Sequence, residues 1–225
     1  MKITVLVENT SLSEELCCEH GLSLYIEACG KKILFDFGQS DLCCRNADAL
    51  GIDLSQVDLA ILSHGHYDHS GGIQSFLSQN TSAPVYVSKN AFGDHYNASG
   101  SYIGLDATLQ MESRLVFAES IQQLAPGITL RSCNHQEPLE PIRSYGLRCG
   151  EKADVFDHEQ YLIIEENGKR ICISGCSHKG IVNIVNWLSP DVLIGGFHFM
   201  KLDPGGKELA EAGRWLHQSP AVYYT

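Results

Sequence analysis

The stretch Ser63-His64-Gly65-His66-Tyr67-Asp68-His69-Ser70-Gly71-Gly72 places three histidines and one aspartate within six positions, directly after an apolar run at residues 57–63 (VDLAILS). A short apolar run bounded by turn residues reads as a buried strand, and a ligand-bearing loop at its carboxyl end is where open α/β sheets put their binding sites. The chain is thereby constrained to a layered α/β architecture. Imidazole and carboxylate form the donor set of borderline divalent ions such as zinc, manganese or ferrous iron. His64 and His66, two apart in extended chain, can converge on one ion, whereas the adjacent Asp68 and His69 point apart and can turn towards a second. A solvated turn capped by Ser70 or Asp68 is the plain alternative, but a turn does not require four clustered ligands.

The rest of the chain supports layers. Residues 2–7 read as a strand, followed by a polar loop. Residues 22–28 and 32–35 form a hairpin through Cys29-Gly30-Lys31, which ends in Phe35-Asp36-Phe37-Gly38. A helix is expected over 42–50, stopped by Gly51, another from residue 73 to 77, and a strand at 84–88. Residues 89–104 read as loop or short helix over the site, with His95 a surface or structural histidine. Strands are expected at 111–117 and 128–132, with a short helix at 121–124 before Pro126-Gly127. Arg143 and Arg148, in the proline-bearing stretch 133–150, are either contacts for an anionic substrate or solvated loop charges.

A second hairpin, 161–165 with 170–174 around Asn167-Gly168, leads into Gly175-Cys176-Ser177-His178-Lys179-Gly180. A helix over 181–188 and a strand at 191–194 follow, then Gly195-Gly196-Phe197-His198. Hairpin, ligand loop, helix and strand thus occur twice. Three or more protein ligands per metal are usual, so the first loop needs partners, and His178 and His198 each follow a strand end beside small residues.

At 225 residues the chain is expected to form one domain, residues 1–225, with a core that needs no disulfide. Its nine cysteines show no Cys-x-x-Cys, and residues 1–7 alternate rather than forming a signal peptide. With no apolar run long enough to span a bilayer, a cytoplasmic protein without a membrane partner is expected. The net charge of −11 argues against a nucleic-acid partner.

The His-x-His-x-Asp-His pattern after a buried strand resembles the signature of the metallo-β-lactamase superfamily. That resemblance implies a four-layer αββα sandwich with a site for one or two divalent ions, zinc first among them, and His64, His66, Asp68, His69, His178 and His198 as ligands. It implies that Asp36 orients the metal-binding loop, and that His198 stands where the superfamily's last histidine follows its final strand. His158, upstream of the second hairpin like the superfamily's third histidine, rivals His178. Where the superfamily commonly carries an aspartate bridging two metals, this chain has Cys176. The Gly-Cys-Ser-His-x-Gly element and Gly-Gly-Phe-His narrow the resemblance to a branch that includes the archaeal dihydropterin-ribofuranosylaminobenzene-phosphate synthase. Members of that branch generally continue into a His-Cys-Thr-Gly stretch, which this sequence lacks.

The function expected is metal-dependent hydrolysis of a small, anionic or cyclic substrate by a metal-activated water. The alternatives are a pterin-dependent transferase, in which the metal stabilises a departing diphosphate, and a non-enzymatic metal or redox sensor using Cys176.

Overall fold

A computed structural model describes residues 1–225. The strands in chain order are β1 (Lys2–Val7), β2 (Ser23–Ala28), β3 (Lys31–Phe35), β4 (Leu59–Ile61), β5 (Val85–Ser88), β6 (His95–Tyr96), β7 (Leu115–Ala118), β8 (Ile121–Ala125), β9 (Ile128–Arg131), β10 (Arg148–Cys149), β11 (Lys152–Ala153), β12 (Tyr161–Glu166), β13 (Lys169–Ile173), β14 (Val192–Ile194) and β15 (Val222–Tyr224). Helices are α1 (Leu42–Ala49), α2 (Tyr67–Ser70), α3 (Ile73–Gln79), α4 (Ile181–Leu188) and α5 (Lys207–Gln218). No helix is long and apolar enough to cross a membrane.

Two six-stranded sheets carry the chain, in the orders β1-β2-β3-β4-β5-β7 and β15-β14-β13-β12-β9-β8. Each has an antiparallel hairpin whose second strand continues into parallel pairing: β2–β3 into β4, and β12–β13 into β14. Their facing sides share one apolar seam in which Ile26, Ile33, Phe35 and Ile61 meet Leu130, Leu162, Ile164 and Ile173. On the outer face of the first sheet, Leu34 and Leu62 pack with Leu42 and Ala47 of α1 and Phe76 of α3. On the outer face of the second, Tyr161, Ile163 and Cys172 pack with Ile184 and Val185 of α4 and Leu216 of α5. Alternating side chains therefore serve two cores per sheet, and the layers are α, β, β, α, as the motif order predicts.

Four local readings change. The strand expected at 111–117 is confined to Leu115–Ala118, and Met111 instead ends a short 3-10 turn at Ala107–Met111. Residues 121–124 form strand β8 rather than a helix, because Pro126-Gly127 turns the chain back and β8 pairs antiparallel with β9. Five residues are too few to hold an isolated helical turn against that ladder. The apolar run 57–63 contributes only Leu59–Ile61 as strand, the remainder entering and leaving it as loop. Residues 89–104 hold the two-residue strand β6, which with β10 and β11 makes a small third sheet beside the site.

Candidate metal centre

The ligand loop hangs from one carboxylate. Asp36 follows β3 with a left-handed φ of 59° and is fully buried. Its side chain accepts from the Ser63 amide (2.6 Å), the Ser63 hydroxyl (2.7 Å) and His69 Nδ1 (2.6 Å). With its own proton committed to Asp36, the Ser63 hydroxyl accepts the Nδ1 proton of His64 at 2.8 Å. With Nδ1 of each turned to an acceptor, His64 and His69 direct Nε2 into the cluster, the arrangement found behind metal-ligating histidines. Glycine is required where the loop meets its neighbours. A β-carbon on Gly65 would collide with the Ala91 carbonyl, and one on Gly175 would strike the Ser63 hydroxyl and lie 3.2 Å from His64 Nδ1.

The second ligand loop is held from beneath. Glu159, also fully buried, accepts the amides of His178 (2.7 Å) and Lys179 (3.1 Å) and the Tyr161 hydroxyl (2.7 Å). The buried Lys179 ammonium donates to the Ser132 carbonyl and to Asn134 Oδ1. These contacts bring Gly175–Gly180 over the first loop, where Cys176 Sγ stands 3.1 Å from His69 Nε2.

Seven of the ten histidines form one continuous cluster. The ring centres of His64, His66 and His178 form a triangle of 4.6, 4.9 and 4.9 Å. Three imidazoles on a tetrahedral ion with bonds of about 2.0–2.1 Å have centres about 5 Å apart, so the ring spacing is that of a shared ion, although the donor atom of His66 groups with those of His95, Asp154 and His158 rather than with those of His64 and His178. Donor atoms gather within 4.8 Å in three sets: His64, Cys176 and His178; Asp68, His69 and Cys176; and His66, His95, Asp154 and His158. Cys176 belongs to the first two sets and so lies between them. The buried His64 Nε2, His66 Nε2 and both ring nitrogens of His178 have no hydrogen-bond partner. Unpaired buried nitrogens of this number are costly unless a cation receives their lone pairs.

Burial drives His64, His66 and His178 well below the ordinary value of 6.5, and mutual repulsion between the imidazoles adds to it. They are therefore neutral at pH 7, the form that binds metal. Burial also presses on His69, but the facing Cys176, Asp36 and Asp68 hold it well above 6.5.

Of the residues expected from sequence, His64, His66, Asp68, His69, His178 and Cys176 meet in this cluster, with Asp36 beneath them. His198 stands at its rim. Its ring is 4.3 Å from that of His178, but it belongs to none of the three donor sets. His158 lies inside, where its Nδ1 accepts the Gly65 amide at 2.8 Å. In a neutral ring that places the proton on Nε2, which faces Asp154 Oδ2 at 3.3 Å, so His158 supports the loop and His178 is the freer donor. His95 departs from its expected surface or structural role in one respect. It is 1% exposed and takes part in the third donor set, because β6 pairs with β10 and turns it inward. Asp154 was missed altogether, although its spacing to His158 (Asp-x-x-x-His) was readable; Glu159 and Lys179 offered no ligand pattern.

A cavity of about 260 Å³ opens on the His178 and His198 side, lined also by Arg143, Tyr145, Asn183 and Phe197. Arg143 is paired there with Glu208 at 2.6 Å.

Comparison with known proteins agrees with this geometry. Residues 18–143 match the model of the metallo-β-lactamase superfamily. An uncharacterized protein of Methanocaldococcus jannaschii, MJ0448, is 31% identical over 209 residues, covering 88% of this chain and 79% of its own length. The 7,8-dihydropterin-6-methyl-4-(beta-D-ribofuranosyl)-aminobenzene-5'-phosphate synthase of the same organism is 30% identical over 233 residues, covering 90% and 79%. Among solved structures, Tm1679, described as a metal-dependent hydrolase of the beta-lactamase superfamily, superposes with a TM-score of 0.77 at 27% identity, covering 97% of this chain and 84% of that one. With paired hairpin sheets, helices on both outer faces and the His-x-His-x-Asp-His loop at their common edge, this chain belongs to the metallo-β-lactamase superfamily.

Proposed function

We propose that the protein is a metal-dependent hydrolase of a small substrate. The observation that carries the reading is the set of buried, unpartnered imidazole nitrogens of His64, His66 and His178 in one cluster, with His178 at the wall of a cavity. His64, His66 and His178 would hold one ion, and Asp68 and His69 a second or weaker one, with Cys176 between them and His198 reaching in from the rim. A divalent ion, zinc where the thiolate takes part, supplies a Lewis acid and a water acidic enough to react near neutral pH.

The chain's own residues prepare that site. Asp36, directly and through Ser63, keeps the Nδ1 protons of His69 and His64 on the side away from the cluster. Glu159 fixes His178 by its backbone, which leaves the ring free to turn to a ligand. The cavity's size suits a small molecule, and Tyr145 and His198 offer polar contacts to an ester, amide or phosphate oxygen.

Purified protein grown with zinc, manganese and iron available should carry metal and turn over members of a phosphodiester and lactone panel. Protein that carries none and binds none would sink the reading. A second reading, transfer of a pterin group, is favoured by the 30% identity to the pterin-dependent synthase. Thermal stabilisation by a dihydropterin, absent with other small anions, would select it.

A further inference from the structure

We propose that His20 is a ligand of the second ion and, with Asp68, His69 and Cys176, completes a shell of four protein donors. The inference rests on the reading that Asp68 and His69 face an ion of their own, and adds to it a residue from the loop between β1 and β2, outside both ligand loops.

That loop is tied down on either side of His20. The Cys17 carbonyl accepts from Asn46 Nδ2 of α1 at 2.8 Å, and the Glu19 carboxylate accepts the amides of Gln39 and Ser40 at 3.0 and 3.1 Å. Gly21, with a φ of 132°, lies so close to Asp68 that a β-carbon there would stand 2.0 Å from the Asp68 carbonyl oxygen. Only glycine permits that approach, and it sets His20 beside the Asp68 carboxylate.

The Asn9 amide orients the ring. Its Nδ2 donates to Glu8 Oε1 at 2.7 Å, which leaves Oδ1 to accept the Nδ1 proton of His20, also at 2.7 Å. In a neutral ring Nε2 is then a bare lone pair, and it faces Asp68 Oδ2 at 3.3 Å. Two acceptors this close repel unless a cation lies between them, and about 3.3 Å is the separation of two ligands on one tetrahedral ion. Asp68 Oδ2 is in turn 3.6 Å from His69 Nε2, which is 3.1 Å from Cys176 Sγ. The four side chains line one cavity of about 80 Å³, on the scale of an ion rather than of a substrate. Asp68, His69 and Cys176 already hold their donor atoms within 4.8 Å of one another. His20 stands outside that set, on its solvent side; its side chain is 56% exposed and has the freedom to close on an ion, with the exposed Asn9 following.

Two imidazoles, a carboxylate and a thiolate make an electroneutral shell for a divalent ion, and the thiolate favours zinc. Four protein donors close the second position. His64, His66 and His178 alone leave the first with an open place, so water or substrate belongs there.

The test is zinc binding by the full chain after chelator stripping, with the count from elemental analysis and the affinity of each ion from competition with a chromophoric chelator. Wild type should hold two ions. His20→Ala should weaken the second by more than about 100-fold, beyond the about 10–100-fold that loss of an outer partner costs, and leave the first unchanged. His20→Gln, whose amide can still donate to Asp68, should weaken it to the same extent, and added imidazole, which the exposed position admits, should restore the second ion to His20→Ala. Second-ion affinity kept in either variant, or no recovery with imidazole, overturns the proposal and reduces the contact to a hydrogen bond or salt bridge. Wild type that holds a single ion overturns this proposal and leaves the hydrolase reading standing, whereas wild type that holds none overturns both.

Discussion

Replacing Asp36 by asparagine isolates a single charge. Asparagine has nearly the same shape and tolerates the left-handed φ of 59° that Asp36 adopts, so the backbone between β3 and α1 has no reason to move. One amide oxygen can still accept from the Ser63 amide. The amide NH₂ then replaces the oxygen that accepts from the Ser63 hydroxyl and from His69 Nδ1. The hydroxyl can rotate to a new partner, but the His69 proton meets another donor in a fully buried place. A hydrogen bond to a charged group contributes about 1.5–3 kcal/mol, and a buried donor left unpaired costs about 1–3 kcal/mol. The two together predict a loss of about 3–5 kcal/mol, a third or more of the stability of an ordinary domain. Loss of the carboxylate behind His69, and of the relay to His64, should also weaken metal binding by about 10–100-fold. Urea unfolding of the metal-free protein should show a lower midpoint at unchanged slope, and titration with a competing chelator should show the weaker affinity. An Asp36→Asn protein within 1 kcal/mol of wild type that also binds metal as tightly would refute the role given to this carboxylate.

Two further outcomes follow from the buried charges. His64, His66 and His178 sit well below 6.5 when folded, so below pH 6.5 the unfolded chain takes up protons that the folded chain refuses. His69, held above 6.5, works the other way: it keeps its proton when folded while the unfolded chain is still gaining one, and so offsets part of that loss until about one pH unit below 6.5. The metal-free protein should therefore lose stability on acidification from pH 6.5, by up to about 4 kcal/mol per pH unit at the steepest for the three histidines; a midpoint in urea that does not change between pH 7.5 and 5.5 would contradict their burial as neutral rings. Glu159→Gln puts an NH₂ where a carboxylate oxygen accepts the His178 or the Lys179 amide, and should cost about 3–5 kcal/mol, a charged acceptor lost and a buried donor left unpaired; differential scanning calorimetry showing an unchanged midpoint would exclude that role.

Much of this was legible in the sequence because it was local. The run of residues 63–72 keeps its ligands within one loop, and the repeated order of hairpin, loop, helix and strand is written in apolar periodicity that both sheets honour. Asp36 could be placed because it ends an apolar strand beside glycine. What escaped was set by long-range pairing. His95 looked like an isolated surface or structural histidine because the strand that carries it has two residues, and only pairing with Arg148–Cys149 turns it inward. The helix expected at 121–124 failed for the same reason, since Gln122 and Gln123 are edge-strand residues whose partners lie across the turn. His178 and His158 could not be ranked without knowing that the Gly65 amide occupies Nδ1 of His158.

The ligand loops descend from different sheets, His64 and His66 from the end of β4 and His178 from the end of β13, and they meet where the apolar seam reaches its edge. An ion held between them is a clasp on that seam. Neither half of the chain offers a closed coordination shell without the other, so an ion bound here would hold the two sheets together as well as complete the site, and its binding energy would count towards the stability of the whole sandwich.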